Sequence, residues 1–379
     1  MKITLNKKTA LAAVQSLLKV IPQKAAMPII ENILVTASDT LGIGLLATDL
    51  EAALCISFPV DGANTVEEAG VAVLPARLLV DMLKQIEEEK VTISTEGDAT
   101  AVIDWGRGRS SIPAYPSEDF PATDLSLAEA DEFEIPGDEL LKGLAATMYA
   151  CSDDQIRPAL NGILFDCSKE GLTLVASDTH RLAVRDIPSV KTGGKRNFIL
   201  HRRIAAILKG TVTEEDAVSV RFGDERAVFK TGGTVLSTRN IVGKFPNYSS
   251  VIPKDGGNIL AVEPKSFSAA LRRVSVCASR ANFLVRIALS GDLAGGSAEI
   301  KAQDLGYSTS AFEKVAVDYS GEPMEIGFKS NYLQECIDSI QDESVRLKIT
   351  DTRRAVLLEA GTPSEGSRTS VVLMPMAVA

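Results

Sequence analysis

Two stretches of the chain, NILVTASDTLGIGLLATDLEAAL (32–54) and NGILFDCSKEGLTLVASDTHRLAV (161–184), follow one plan. Each has an alternating apolar segment, a polar turn, a second alternating segment, then Ala-Thr or Ala-Ser followed by Asp. Alternation at period two puts every second side chain on one face, so each stretch reads as a pair of half-buried strands. A fainter third copy, VRIALSGDLAGGSAEIKAQDLGYS (285–308), carries Asp304 where the others carry Asp49 and Asp178. The copies recur at a spacing of about 125–130 residues, and a fixed period of this kind marks a repeated structural unit.

The flanks keep the same beat. Apolar residues at i, i+3 and i+4 predict helices in LNKKTALAAVQSLLKVI (5–21), PGDELLKGLAATMYA (136–150) and EPKSFSAALRRVSVCAS (263–279). A second helix per unit is predicted in PARLLVDMLKQI (75–86), HRRIAAILKG (201–210) and SNYLQECIDSI (330–340). Runs such as VTISTEG, VSVRFG and VRLKIT read as strands. The expected fold class is α+β: three similar domains, over 1–126, 127–254 and 255–379, each with two helices packed on antiparallel sheets. The linkers fall in the Pro-containing segments YPSEDFPATD (115–124) and KFPNYSSVIPKDGG (244–257).

The 379 residues are 45% hydrophobic and 24% charged, enough apolar content to bury several cores. No apolar run approaches the roughly 18–20 residues a membrane span needs. At the N-terminus Gln15, Ser16 and Lys19 interrupt the apolar stretch and no small-residue cleavage site follows, so it reads as a strand and an amphipathic helix rather than a signal peptide. Cys55, Cys151, Cys167, Cys277 and Cys336 are odd in number, far apart and without a CxxC, which argues against a disulfide framework and a structural zinc site.

A net charge of −10 argues against nucleic acid for the chain as a whole. The bases are segregated, however. Residues 1–30 carry five lysines and no acid, residues 191–210 six bases and no acid, and residues 262–290 five bases against Glu263 alone. The expectation is an acidic body with selected basic surfaces.

Of the local motifs, GIGLLA (42–47) lies inside a strand-like run, where a dinucleotide fingerprint would instead open a helix. TGGK (192–195) lacks the rest of a phosphate-binding loop. His180 and Asp178 can be read as a base and its orienting partner, with Cys151, Cys167 or a serine as nucleophile, but no nucleophile elbow is present. The parallel Asp49 is followed by Leu50-Glu51, which favours an aspartate that binds nearby backbone N–H groups. Two histidines do not make an ordinary zinc site. The apolar end SVVLMPMAVA (370–379) either packs into its own domain or lines a groove, a role that suits methionine.

SDTHRLAV, the LNG at 160–162, KFPNYSSVIP, AYPSEDFP and the terminal VVLMPM, together with the threefold repeat, resemble the bacterial sliding clamp family, the β subunits of DNA polymerase III. The resemblance spans the whole chain. It implies a head-to-tail homodimer, a ring of six similar domains that encloses duplex DNA without sequence preference and carries no catalytic residue. It implies partners with clamp-binding peptides: the polymerase III alpha subunit, the clamp loader and other replication and repair proteins. It further implies cytoplasmic location, no membrane, no cofactor and no metal. The family's peptide pocket maps to Leu160, Ser177, Thr179, His180, Arg181, Leu182, Pro246, Val251, Val372, Leu373, Met374, Pro375 and Met376. Thr179 stands where the family often has Gly, and Ser250 where it often has Arg, and both bear on the pocket rim. Lys24 matches a DNA-contacting position. Arg202, Arg203, Arg272 and Arg273 are added as DNA-facing residues from charge and helical placement. Ile112, Val276 and Cys277 match positions that pack across the dimer. Against this stand an enzyme built on Asp178 and His180, and a repeat-built scaffold that never touches DNA.

Overall fold

The computed structural model describes the chain except residues 98, 128–129, 194–195, 255, 293–294, 363–365 and 379. TGGK (192–195) therefore lies partly outside the described residues. Six α-helices occur among the described residues: α1 (Lys7–Leu17), α2 (Ala76–Gln85), α3 (Gly137–Thr147), α4 (Arg202–Lys209), α5 (Pro264–Ser275) and α6 (Ser330–Asp338). They fall where the apolar periodicity put them, with shorter ends. At α1 the boundary is set by Asn6, whose side chain accepts the N–H groups of Lys8 and Thr9 and so caps the first turn. At α5 Glu263 does the same for Lys265 and Ser266, with Pro264 opening the helix. GIGLLA lies within the strand Gly42–Thr48, as its alternation required.

Contacts divide the chain into two compact units, residues 1–141 with 203–240, and residues 142–202 with 241–379. The first unit holds a five-stranded and an eight-stranded antiparallel sheet. In the eight-stranded sheet Thr234–Arg239 pairs with Ala52–Phe58, Leu236 opposite Leu54. The second unit holds a twelve-stranded sheet in which Arg181–Ile187 pairs with Arg368–Leu373, Leu182 opposite Val372. Strands of successive repeats thus share sheets, so the contact density follows the sheets and not the repeat boundaries.

Two of the apolar clusters among the described residues lie in the second unit. The larger packs Phe267, Leu271 and Val274 of α5 and Leu333, Cys336 and Ile337 of α6 against Val285, Ile287, Ile300, Phe328 and Leu373. The smaller joins Leu160, Leu164, Val175, Leu182, Val184, Phe245, Leu357 and Val372. Residues 182 and 372 reach the smaller cluster while 373 reaches the larger, because neighbours along a strand face opposite ways. Helix α3 lies close to the sheet through Gly143, where an added Cβ would stand 2.5 Å from Leu174 Cδ1.

Candidate functional site

The strands Leu172–Ser177 and Arg181–Ile187 are joined by a turn pinned from within. Asp178 Oδ1 accepts the N–H groups of His180 and Arg181, both at 2.9 Å. Ser177 Oγ accepts the N–H of Thr179 at 3.1 Å and donates to the carbonyl of Arg181 at 2.8 Å. This local bonding holds Thr179 at φ 78°, a left-handed conformation that a β-branched residue adopts only when its surroundings impose it.

Arg181 is the most heavily engaged side chain of the turn. Its side chain is 7% exposed, and each guanidinium nitrogen donates: Nε to Asp178 at 3.1 Å, Nη2 to the carbonyl of Tyr149 at 2.7 Å, and Nη1 to Glu335. The planar group also lies 4.2 Å from the ring centroid of Tyr332 and 5.0 Å from that of Tyr149. Burial pulls the pKa of Arg181 down, but the bond to Glu335 and the charges of Asp178 and Glu335 outweigh it and the net shift is upward. A permanently charged group bonded through each of its three nitrogens is a fixed post.

The geometry removes the pairing on which an enzyme built on Asp178 and His180 depends. Both carboxylate oxygens of Asp178 serve the backbone and Arg181, and neither orients the imidazole of His180, which stands exposed, 6.1 Å from the ring of Tyr332. Burial pushes the Cys151 thiol up to about 12, and Cys167 is buried with its Sγ against the carbonyl of Phe165. A thiol held protonated is a poor nucleophile. Among the described residues no group of three or more His, Cys, Asp and Glu could hold a metal ion, and no helix is long and apolar enough to cross a membrane.

Beside the turn lies a cavity of about 600 Å³. Its floor is Leu160, Leu182, Phe245 and Val372 of the smaller apolar cluster, and its polar rim is Ser177, Thr179 and His180. Val242, Val251 and Met374 stand exposed at the mouth. Tyr248 forms part of the wall and donates its hydroxyl to Asp166 at 2.7 Å; burial, then that carboxylate, raise the phenol above its usual range. The arrangement is a mostly apolar cleft with a few oriented polar groups, suited to anchoring apolar side chains of a peptide.

Ten of the thirteen residues assigned to a pocket from the sequence line this cavity: Leu160, Ser177, Thr179, His180, Arg181, Leu182, Pro246, Val251, Val372 and Met374. Leu373, Pro375 and Met376 do not. Leu373 points into the larger cluster by strand alternation, and the N–H of Met376 is bound to the carbonyl of Gly327 at 2.8 Å. The reading missed Arg157, Pro158, Ala159, Val242, Gly243, Lys244, Phe245, Asn247, Tyr248 and Ala355. Most of these flank LNG or lie in and beside KFPNY, so extending those motifs by a few residues finds them. Ala355 has no local signal.

None of the basic residues assigned from the sequence to DNA lines the cavity. Lys24 is exposed in the loop after α1. Arg202 pairs with Asp153 at 2.5 Å, Arg203 with Asp49, Arg272 with Asp338 at 3.9 Å, and Arg273 through Nε with Glu313 at 2.9 Å. Val276 follows α5 and is 83% exposed, and Cys277 is half-buried beside it. Ile112 is 3% exposed in its own unit, on Arg109–Pro113, the edge strand of the five-stranded sheet.

Family models for the N-terminal, central and C-terminal domains of the DNA polymerase III beta subunit match residues 1–124, 134–247 and 249–377. The chain is 28% identical over 367 residues to the beta sliding clamp of Caulobacter vibrioides, covering 94% of this chain and 95% of that one. It is 26% identical over 378 residues to the beta sliding clamp of Haemophilus influenzae, covering 99% and 100%. Among solved structures, the sliding clamp of Bartonella birtlesii bound to griselimycin superposes with a TM-score of 0.91 at 26% identity, covering all of both chains. The DNA polymerase sliding clamp of Bacillus subtilis, at 22% identity, gives a TM-score of 0.92 over all of both chains and shares the fold. Matched from end to end, this chain belongs to the DNA polymerase III beta subunit family: it is a DNA sliding clamp of replication, a processivity subunit and not an enzyme.

Proposed function

We propose that the protein acts as a homodimeric ring that encloses duplex DNA, and that the cavity beside the Ser177–Arg181 turn receives short peptides of its partners. The observation that carries the pocket reading is the cavity itself: a floor of Leu160, Leu182, Phe245 and Val372, with oriented polar groups at its rim. The partners would be the polymerase III alpha subunit, the clamp loader and other replication and repair proteins, all in the cytoplasm. A peptide with Gln, Leu and Phe anchors suits the chemistry, its apolar side chains on the floor and its polar groups against Ser177 and His180.

For the ring, the reading takes three domains, at 1–126, 127–254 and 255–379. The exposed Val276, with Cys277, supplies apolar contact, while the edge strand Arg109–Pro113 offers backbone groups for pairing with the second copy. In that arrangement Ile112 backs the interface from within its own core. Lys24, Arg202, Arg203, Arg272 and Arg273 would attract phosphates. The partners of the four arginines do not preclude this, since exposed ion pairs are worth little and a polyanion competes for them. Weak contact suits sliding, with retention coming from closure of the ring.

The test is retention on circular against linearised duplex. The ring, loaded on a circle, stays bound and is lost through free ends after linearisation. Equal retention on both overturns the ring, as does a monomeric mass at working concentration. His180→Ala should keep the fold and the mass while weakening binding of a labelled partner peptide.

A further inference from the structure

We infer that Glu335, on α6 and outside the cavity, is a positioning residue for the peptide pocket: through Arg181 it sets the Ser177–Arg181 turn in its binding shape. The inference rests on the pocket reading above and deepens it.

Glu335 does not line the cavity. Its carboxylate bonds Nη1 of Arg181, the one nitrogen of that guanidinium that neither the turn nor the Tyr149 carbonyl satisfies. Arg181 is also a residue of the turn, and it closes on Asp178, the same carboxylate that holds the His180 and Arg181 N–H groups. The chain of contact is therefore continuous: α6, Glu335, Arg181, Asp178, and the backbone that aims Thr179 and His180 at the cavity. Tyr332, one helical turn before Glu335, covers the guanidinium face and fixes its plane. The ammonium of Lys329 lies 4.2 Å from the centroid of the same ring.

The turn has reason to need an outside hold. Thr179 sits at φ 78°, which is unfavourable for a β-branched residue, so the backbone tends to relax unless neighbouring bonds oppose it. Arg181 alone does not supply that opposition, because its own position depends on an acceptor for Nη1. With Glu335 removed, a buried guanidinium loses one of three acceptors, and the cheapest remedy is to shift toward water, drawing Asp178 with it. The pocket would then be set only in a fraction of molecules, and the apparent affinity would fall by that fraction.

The experiment compares wild type with Glu335→Ala and Glu335→Gln in the intact protein. One arm titrates a fluorescein-labelled peptide ending in Leu-Phe after a Gln; the other follows hydrogen exchange of the 177–181 backbone. Glu335→Ala should bind about tenfold more weakly, equivalent to about 1.4 kcal/mol, with faster exchange at His180 and Arg181 and an unchanged mass. Glu335→Gln, which keeps an acceptor for Nη1, should recover part of both effects. The inference is overturned if exchange in the turn is unaltered in Glu335→Ala, or if peptide affinity is kept although the turn exchanges faster. Failure of the wild type to bind the peptide is a separate outcome: it removes the pocket reading and, with it, a positioning role toward that pocket.

Discussion

The turns Thr48–Ala52 and Ser177–Arg181 are built on the same hydrogen bonds. Asp49 Oδ1 accepts the N–H groups of Glu51 and Ala52 at 3.0 and 2.7 Å, as Asp178 Oδ1 accepts those of His180 and Arg181. Thr48 Oγ1 accepts from the N–H of Leu50 at 3.0 Å and donates to the Ala52 carbonyl at 2.9 Å, as Ser177 does within its own turn. Leu50 stands at φ 75° and Thr179 at φ 78°. The turns differ in what occupies the free carboxylate oxygen. Asp49 is met by Arg203, an exposed residue of the neighbouring helix α4. Asp178 is met by Arg181, which belongs to the turn and is buried where the first turn carries only Ala52. The hydroxyl and carboxylate make the turn, and the residue that closes it decides whether the turn is merely held or is locked to its surroundings.

Arg181→Ala against Arg203→Ala should separate the two most sharply. The first leaves Asp178 and Glu335 without their shared cation and should cost about 3–5 kcal/mol, with loss of peptide binding. The second removes an exposed arginine from an Asp49 that keeps its two backbone N–H bonds, and should cost below about 1 kcal/mol. Urea unfolding of both variants measures the gap, and similar costs would mean that burial does not distinguish the turns.

Smaller effects test their likeness. Asp49→Ala and Asp178→Ala each strip two backbone N–H groups of a charged acceptor, a loss of about 2–3 kcal/mol, but Asp178→Ala also leaves the buried Arg181 without one of its carboxylates and should cost more in the same unfolding assay. Equal costs would show that the Arg181 pair adds nothing beyond the backbone bonds. Leu50→Gly and Thr179→Gly remove the cost of a side chain at positive φ and should each change stability by no more than about 1 kcal/mol in the favourable direction. Thermal unfolding reads both, and only the change at 179 should also alter peptide affinity.

The smallest effect is alkaline. The Tyr248 phenol, raised by burial and by Asp166, stays protonated in the folded protein after its unfolded counterpart ionises near pH 10. Its stabilisation is therefore complete below about pH 10 and declines above it. Tyr248→Phe should flatten the loss of stability above that pH, followed by circular dichroism.

The sequence by itself determined the repeat, all six helices and the aspartate-centred turns, because these rest on local periodicity and on bonds between residues two or three apart. It also named half of the residues that line the cavity, most of them in SDTHRL and VVLM, with Leu160 of LNG and Pro246 of KFPNY marking where the rest lie. Alternation within SVVLM was available too, and would have separated Val372 and Met374 from Leu373 had the direction of the faces been known. Only the tertiary structure decided that direction. It also decided that Ala355 reaches the cavity and that Glu335, Tyr149 and Tyr332 converge on Arg181. Residues 149, 181 and 335 meet through the pairing of Arg181–Ile187 with Arg368–Leu373 and the packing of α6 beside it. Such contacts carry no sequence spacing, because the sheet brings together strands that are far apart along the chain.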